Sequence, residues 1–260
     1  MTDLDQLRAL IAKLRLRGLE RVLDDELQRF DKDPGPVTQL LYRLLLEEAR
    51  ERRERSLAYR LKEAALPWPW TLETFPFERQ PGVNRTQLQT LAGLDFLRRA
   101  ENLVFIGNPG TGKSGLAIAL LRQACLSGFR GRFYNAQDLL DELYASLADR
   151  STARLLKRLA RYEPLLIDEL GYLTLRPEQT NAFFKLMDQR YGRVSTILTT
   201  NLDYEAWYEL FEKNPLVDAL LDRLQHHCIT IRIDGPSLRA PTPPPDKPRR
   251  SQKKTASKRS

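Results

Sequence analysis

The chain is poor in the residues that build disulfide frameworks and thiol or imidazole metal sites. Its 260 residues include only two cysteines and two histidines. Cys125 and Cys228 are isolated thiols, which excludes a disulfide framework and is typical of a reducing, cytoplasmic environment. His226 and His227 directly precede Cys228, but three adjacent residues do not easily chelate one ion, and no C-x-x-C pair accompanies them. We therefore expect a cytoplasmic protein without a metal site of this kind.

Long apolar runs are also missing. None approaches the roughly 20 residues that a membrane-spanning helix needs, so we expect no membrane partner. The amino-terminal stretch is amphipathic and carries acids early, at Asp3 and Asp5, which does not fit a secretory signal. The sequence shows no internal repeat. A hydrophobic content of 42% is nevertheless sufficient for a real core.

The basic charge is concentrated at the carboxyl end. The chain carries a net charge of +8, and residues 235–260 hold eight Lys and Arg against one Asp, a net of +7. This tail is rich in proline and then in Lys, Arg and Ser, a composition that cannot bury a core and predicts disorder. Such a tail either attracts polyanions without sequence preference or only keeps the chain in solution.

One stretch has the pattern of a phosphate-binding loop. Residues 107–114 fit G-x-x-x-x-G-K-[ST], with an apolar strand-like run before them and a helical pattern after them. The backbone N–H groups of such a turn and the positive end of the helix bind phosphate oxygens. Lys113 adds a charge for the β- and γ-phosphates, and the Ser114 hydroxyl is a ligand for Mg²⁺. The nucleotide-binding residues expected here are Gly107, Asn108, Pro109, Gly110, Thr111, Gly112, Lys113, Ser114 and Gly115.

Polar residues end two further strand-like runs. Residues 165–167 are apolar and lead into Asp168 and Glu169, and residues 194–200 lead into Asn201. Ligands bind beyond the carboxyl ends of strands in open α/β sheets. We expect Asp168 to hold Mg²⁺ through water and Glu169 to polarise the water that attacks the γ-phosphorus, which favours hydrolysis over transfer to a second substrate. Asn201 is the residue expected to sense the γ-phosphate.

The alternation of strands and helices predicts an α/β fold, a parallel sheet with helices on both faces. We place this nucleotide-binding domain at 67–234, after a small all-helical domain at 1–66 and before the basic tail at 235–260. Gly18 and the breaker cluster at 31–36 divide the helical domain into three helices.

The connector after the helical domain alternates aromatic residues and prolines, which predicts an extended strap packed against the second domain. Phe75 and Phe77 are candidates for covering the nucleotide base, and packing in the core is the simpler explanation for both. A helix is expected at 86–100.

A second candidate surface is basic. No acid lies between Asp149 and Glu163, and cations repeat at helical spacing opposite a leucine face. This pattern is typical of a helix that contacts phosphates, and the alternative is an ordinary solvated face. The DNA-contacting residues expected are Arg150, Arg154, Lys157, Arg158 and Arg161.

The order of the motifs resembles one family. The segments GNPGTGKS, LLIDEL, TTN, ALLDRLQHH and GPSLR, together with FRGRFYNAQDLL, are similar to the IstB-like group of AAA+ ATPases, from about Phe75 to Arg239. These are helper ATPases of bacterial insertion sequences and are related to DnaC-type helicase loaders. The resemblance implies an AAA+ fold, ATP and Mg²⁺ as cofactors, homo-oligomers in rings or helical filaments on duplex DNA, and delivery of that DNA to a partner transposase.

The resemblance also implies roles for several arginines. Arg223, in the DRL segment, resembles the arginine finger that completes a neighbouring subunit's site, and Arg190 competes for that role. A finger of this kind contributes ~10³–10⁵ in rate. Arg239 resembles a second sensor, although little chain follows it apart from the tail. The basic stretch 150–161 is similar in position to the helical insert with which related initiators touch DNA.

Two other functions use the same residues. A replicative helicase loader has the same ATPase and a different client protein. A DNA scaffold binds nucleotide tightly without significant turnover. Capture of the client separates the first alternative from a transposition helper, and DNA-stimulated phosphate release separates the second.

Overall fold

A computed structural model of the chain describes residues 2–171, 175–211 and 216–239. The helices are α1 (Asp3–Lys13), α2 (Arg17–Lys32), α3 (Val37–Ala64), α4 (Arg85–Ala92), α5 (Asp95–Arg98), α6 (Lys113–Leu126), α7 (Ala136–Ala148), α8 (Thr152–Leu159), α9 (Pro177–Arg190), α10 (Trp207–Leu210) and α11 (Leu216–His226). The strands are β1 (Asn102–Gly107), β2 (Arg132–Asn135), β3 (Leu165–Asp168), β4 (Thr196–Thr200) and β5 (Cys228–Ile233). The prediction of a disordered tail concerns residues that, from 240 onward, lie outside the described ranges.

These strands form one five-stranded parallel sheet in the order β2-β3-β4-β1-β5, which confirms the predicted parallel sheet. The carboxyl ends of neighbouring strands lie side by side. Ile106 of β1 pairs with Thr200 of β4, and Asn135 of β2 pairs with Asp168 of β3. The segments that follow β1, β3 and β4 therefore meet at one edge of the sheet, where ligands bind in open α/β folds.

Helices cover both faces of the sheet, as predicted. Side chains alternate along β1, so that Leu103 and Phe105 join one buried cluster and Val104 and Ile106 join the other. The first cluster includes residues of α4, α5 and α6, and the second includes residues of α7, α8 and α9. Because both faces are buried, β1 is apolar on both sides and shows no polar alternation.

Gly18 does not end a helix, contrary to the prediction. α1 ends at Lys13, and Gly18 lies in the first turn of α2, where α3 passes close by. A Cβ at Gly18 would lie 2.6 Å from the carbonyl oxygen of Glu47, so only glycine fits there without a shift. The Glu48 carboxylate accepts the Gly18 N–H at 2.8 Å and satisfies a free donor at the start of α2. This glycine is therefore a packing residue between two helices.

The long helix α3 connects the amino-terminal helices to the sheet domain. Its early turns pack on α2, whereas Ala64 near its end is fully buried in the core cluster around β1 and α6. Arg60 donates to the Cys125 carbonyl at 3.0 Å, and the Glu63 carboxylate accepts from Arg130 Nε at 2.9 Å. One continuous helix thus belongs to both of the regions that we divide at residue 66.

The helix predicted at 86–100 is divided into two helices, α4 and α5. α4 ends at Ala92 and α5 begins at Asp95, because Leu94 between them takes a left-handed conformation with φ of +63° and buries its side chain. No helix within the described ranges is both long and apolar enough to cross a bilayer.

Candidate functional site

The turn between β1 and α6 has the geometry of a phosphate-binding loop. β1 ends at Gly107 and α6 begins at Lys113. Gly110 and Gly112 have φ angles of +82° and +95°, in the left-handed region that favours glycine. A Cβ at Gly112 would lie 2.7 Å from the Phe75 ring, so the turn accepts no larger residue there. The amino end of α6, with its partial positive charge, faces an open cleft that is lined by Gly112, Lys113 and Ser114.

Lys113 lies across this turn and beside the acidic end of β3. Its Nζ donates to the carbonyl oxygens of Gly107 and Asn108 at 2.7 and 2.9 Å. Burial lowers the pKa of the Lys113 ammonium below its ordinary value, while the charges of Asp168 and Glu169 oppose that change. The lysine and the two carboxylates are thus close enough to interact electrostatically, as a shared phosphate and metal site requires.

Asp168, at the end of β3, is buried beside two hydroxyl groups. Thr199 donates to Oδ1 of Asp168 at 2.5 Å, and Ser114 forms a second hydrogen bond with the same carboxyl group. Burial has the largest influence and raises the pKa of Asp168 above its ordinary value, against both hydrogen bonds. A cation bound beside Asp168 would favour the ionised form of its carboxyl group. The Ser114 hydroxyl and the Asp168 carboxylate fit Mg²⁺, which prefers oxygen ligands of this kind together with phosphates. The described residues hold no cluster of three His, Cys, Asp or Glu side chains around a metal position.

Glu169 has an unusual backbone and two polar partners. Its φ of +62° lies in the left-handed region, which costs a non-glycine residue about 1–3 kcal/mol and is most often found at functional sites. Its N–H donates to the Thr199 hydroxyl at 2.9 Å, and its carboxylate accepts from Asn135 Nδ2 at 3.2 Å. No sequence motif points to a role for Asn135 or Thr199. Both lie at the carboxyl end of a strand, and that position was the available signal.

Asn201 follows β4 and lies in the same cleft as Lys113, Ser114 and Glu169. Its Oδ1 is buried and has no hydrogen-bond partner among the described residues. A buried amide oxygen without a partner is costly, and a donor in the cleft, such as a water held by a phosphate, would satisfy it. The position suits the phosphate-sensing role that the sequence suggested.

The cleft has a volume of about 530 Å³ and an aromatic wall that packs against the phosphate loop and the start of α6. Trp68, Trp70 and Phe75 form this wall, and the Trp70 ring packs over Gly115 of α6. Phe75 is buried and meets Phe77 edge-on, with ring centroids 4.9 Å apart, so it contributes to the core as well as to the wall. Only the two phenylalanines of this strap are predicted above to cover the base, whereas the structure also places Trp68 and Trp70 of the same strap in the cleft.

The segment after β5 closes over the phosphate loop. The Leu238 N–H donates to the Gly110 carbonyl at 2.8 Å, and Gln80 Nε2 donates to the carbonyls of Thr111 and Pro236 at 3.0 and 2.9 Å. Gln80 thereby joins the connector, the loop and the carboxyl-terminal segment. Arg239 lines the cleft as a consequence, and its charge contributes to the lowered pKa of Lys113.

Comparison with known proteins adds to this geometry. The sequence profile of a family described as IstB-like ATP binding protein matches residues 9–243. A Pseudomonas aeruginosa protein named as the ATP-binding protein of insertion sequence IS21 is 37% identical over 234 residues, which are 90% of this chain and 88% of the relative. Its counterpart from IS232 of Bacillus thuringiensis subsp. berliner is 33% identical over 234 residues, 90% of this chain and 94% of the relative. The chain belongs to the IstB-like ATP-binding family.

Solved structures agree with this assignment at the level of the fold. The DnaC helicase loader superposes with a TM-score of 0.56 and 24% identity, over 64% of this chain and 98% of that one. AMPPCP-bound DnaA from Aquifex aeolicus superposes with a TM-score of 0.55 and 20% identity, over 65% of this chain and 51% of that one. The IstB-like chain thus has the AAA+ P-loop fold, preceded by helices, as expected from the sequence.

The two candidate arginine fingers of this IstB-like protein have very different surroundings. Arg190 is only 1% exposed, and its guanidinium donates to the carbonyls of Leu159, Tyr162 and Ser195 and to the Thr196 hydroxyl. It therefore stabilises the fold and does not reach a neighbouring molecule.

Arg223 has an accessible side chain. It forms an ion pair with Asp188, and its guanidinium lies 5.5 Å from the centroid of the Tyr191 ring. The side chain of Arg223 is 42% exposed, so the ion pair with Asp188 is solvated and weak enough to exchange for another partner. Of the two candidates, only Arg223 suits a role between subunits.

The basic residues around α8 are all exposed, and the leucines of the same helix are buried. Arg158 forms an ion pair with Glu142 of α7. Arg154 lies near Asp149, whose pKa is lowered mainly by hydrogen bonds from Ser151 and slightly by the Arg154 charge. The predicted stripe is therefore present as a surface, but some of its cations are partly neutralised by acids of the same region.

Proposed function

We propose that this chain is a helper ATPase of transposition. It binds ATP with Mg²⁺, oligomerises on duplex target DNA and delivers that DNA to a partner transposase. The observation that carries the proposal is the shared cleft of Lys113, Ser114, Glu169 and Asn201 beside Asp168, in a chain whose relatives are named as ATP-binding proteins of insertion sequences.

In this proposal the loop residues bind the triphosphate. The N–H groups at the start of α6 and the Lys113 ammonium hold the β- and γ-phosphates, and the lysine exchanges its contacts with the Gly107 and Asn108 carbonyls for phosphate oxygens. Ser114 and Asp168 would hold Mg²⁺, the latter through water, and a bound ion would supply positive charge against the charge that develops on the phosphates. The tryptophan wall then faces the base.

Glu169 orients and polarises the attacking water, and Asn135 and Thr199 position it. The Asn135 amide restricts the carboxylate, and Thr199 connects the Glu169 backbone to the Asp168 side chain. Asn201 senses the γ-phosphate. Arg223 acts in a neighbouring subunit after release from Asp188, which would couple hydrolysis to oligomerisation in a ring or a helical filament.

DNA binding and partner binding are assigned to two other surfaces. Arg150, Arg154, Lys157, Arg158 and Arg161 contact DNA phosphates. The amino-terminal helices expose leucines, and Leu10, Leu14, Leu41 and Leu45 are each more than half exposed. Leu41 and Leu45 lie one turn apart on α3, and an exposed apolar pair on one helix face is suited to a protein–protein contact, which supports a role for this region in binding the transposase.

The test is phosphate release from ATP with and without duplex DNA. We expect Lys113→Ala to abolish ATP binding, read from the fluorescence of Trp68 and Trp70 in the cleft. We expect Glu169→Gln to bind ATP normally, to lose at least ~100-fold in hydrolysis and to accumulate as an ATP-bound assembly on DNA. Unchanged turnover in Glu169→Gln would contradict its assigned role, and wild-type protein that binds ATP without DNA-stimulated release would favour a scaffold.

One alternative has an observation in its favour. The fold is shared with a DnaC helicase loader over 64% of this chain, so a helicase-loading function uses the same architecture. Capture assays with the transposase and with the replicative helicase, in the presence of ATP and DNA, separate the two. Binding of the helicase alone would replace the transposition proposal.

A further inference from the structure

The exposed cations of α8 face two different surroundings. Arg154 and Arg158 line a shallow pocket together with Glu142 and Asp149, so acids lie close to both of them. Lys157 lines a separate pocket, on the side of α8 that faces α9. The basic stripe seen in the sequence thus borders two different pockets, and only the second has no acid among its lining residues.

This second pocket is an open groove of about 730 Å³ that lies between α8 and α9. Its cations come from three elements: Lys157 from α8, Lys185 from α9 and Arg193 from the loop before β4. Gln189 also lines the groove, and no acid does. Within the described ranges, none of these three cationic side chains has an ion pair or a hydrogen bond, and all three are exposed.

One buried arginine joins the elements that form the groove. Arg190 donates to the carbonyls of Leu159 at the end of α8 and Tyr162 just after it, and to the Ser195 carbonyl and the Thr196 hydroxyl around the start of β4. One side chain of α9 thereby fixes α8 and the loop of Arg193 relative to α9. The remaining lining residues are uncharged, so a polyanion meets only positive charge there: Thr152, Ala153, Leu156 and Ala160.

We propose that this groove, formed by Lys157, Lys185, Gln189 and Arg193, holds the phosphodiester backbone of duplex DNA. The inference rests on the proposed DNA-binding function and names the surface that performs it. Unpaired cations release counterions from DNA without first breaking internal ion pairs, which is the main source of affinity for the backbone. The groove offers only one amide for reading bases, so it contributes affinity without sequence preference.

The groove and the nucleotide cleft lie at opposite edges of the sheet. Arg193 lies in the short loop before β4, and Arg190 at the end of α9 donates to Thr196, the first residue of that strand. The phosphate loop and Asn201 follow the carboxyl ends of β1 and β4. Substitutions in the groove are therefore expected to leave nucleotide binding unchanged.

The experiment measures duplex DNA affinity of the full chain against salt, with a random-sequence duplex, an ATP analogue and fluorescence anisotropy. We expect Lys157→Ala, Lys185→Ala and Arg193→Ala each to weaken binding and to reduce the slope of log K against log salt by about 1, and the triple variant to reduce it by about 3. Gln189→Lys adds a cation to the groove and should strengthen binding, with a slope steeper by about 1.

One control removes a cation outside the groove. Arg98→Ala removes an exposed arginine that is paired with Asp95 on α5. It should change the slope less than any of the three groove variants. Binding of the ATP analogue and the melting temperature report whether each variant is folded, and Gln189→Lys tests the groove without removing any side chain that the structure uses.

The outcomes are distinguishable. If wild-type protein binds DNA but neither the triple variant nor Gln189→Lys changes affinity or slope, the groove is not the DNA surface and the proposed function stands. Equal losses in Arg98→Ala and Lys157→Ala would show an effect of net charge alone and would overturn the groove assignment. If the wild-type protein binds no duplex DNA with the ATP analogue, the groove assignment and the proposed function both fail.

Discussion

Thr199 contacts both carboxyl-bearing residues at the end of β3. Its hydroxyl donates to Asp168 at 2.5 Å and accepts the Glu169 N–H at 2.9 Å. One oxygen therefore orients the carboxylate that we propose as a Mg²⁺ ligand and holds the backbone of the proposed catalytic glutamate, whose φ of +62° is unfavourable by itself. In metal sites, residues that orient a ligand without touching the metal influence the affinity for the metal.

At this scale we expect Thr199→Val to weaken Mg²⁺ binding. The change keeps the shape of the side chain and removes both hydrogen bonds of the hydroxyl. The buried Asp168 carboxyl group then keeps only its hydrogen bond with Ser114, and the Glu169 N–H loses its acceptor. The concentration of Mg²⁺ needed for half-maximal ATP hydrolysis should rise by roughly 10–100-fold. Thr199→Ser retains the hydroxyl and is the matched control. If both variants require the wild-type Mg²⁺ concentration, Thr199 does not act through Asp168.

At the scale of elements, the two helices α2 and α3 depend on one close approach. Gly18 lets the α3 backbone pass at the start of α2, and Glu48 of α3 accepts the N–H groups of Gly18 and Leu19 at 2.8 and 3.4 Å. The carboxylate thus acts as a helix cap that is supplied by a neighbouring helix. A sequence pattern cannot show this, because glycine inside a helical stretch also fits a helix break.

We expect Gly18→Ala to destabilise the amino-terminal helices by about 1–3 kcal/mol, since its Cβ would lie 2.6 Å from the Glu47 carbonyl oxygen and 2.8 Å from the Glu48 Cα. Urea unfolding followed by circular dichroism measures the difference. Gly35→Ala is the control, because the nearest atom to its Cβ is the end of the Gln39 side chain at 3.3 Å. Equal stability of the two variants would show that α2 and α3 can separate without cost.

At the scale of the whole molecule, α3 connects the amino-terminal helices to the nucleotide-binding domain. The Glu63 carboxylate binds Arg130 and accepts from the Tyr162 hydroxyl at 3.3 Å, while its carbonyl accepts from Arg132 at 2.7 Å. The hydrogen bond from Arg130 is the main cause that holds the pKa of Glu63 below its ordinary value of 4.5. The end of α3 is therefore attached to the sheet by a charged cluster as well as by Ala64.

This attachment predicts a dependence of stability on pH. A carboxyl group whose folded pKa is lowered stabilises the folded state above its unfolded pKa, and that contribution is lost as pH falls through the folded value. Wild-type stability should thus decrease from pH 7 to below 4.5 by more than that of Glu63→Gln. At pH 7 the variant should be less stable by about 1 kcal/mol. Parallel urea titrations at both pH values test this, and identical pH dependence of the two proteins would contradict it.

The structural features that depend on local residue patterns could be predicted from the sequence alone. The phosphate loop, the apolar strand before Asp168 and the helix with the exposed cations each need only spacing and residue type, because a helix or a buried strand imposes its own period. The parallel sheet followed from the alternation of strands and helices. The family resemblance also came from short motifs in order.

Contacts between side chains that are far apart in the sequence could be identified only from the tertiary structure. Arg190 and Arg223 are both arginines near helix ends in the sequence, but one is enclosed by four acceptors and the other is accessible. Lys157 faces Lys185 and Arg193 because α8 packs beside α9. Contacts of this kind arise from the packing of elements far apart in the chain, and no local period records how those elements pack.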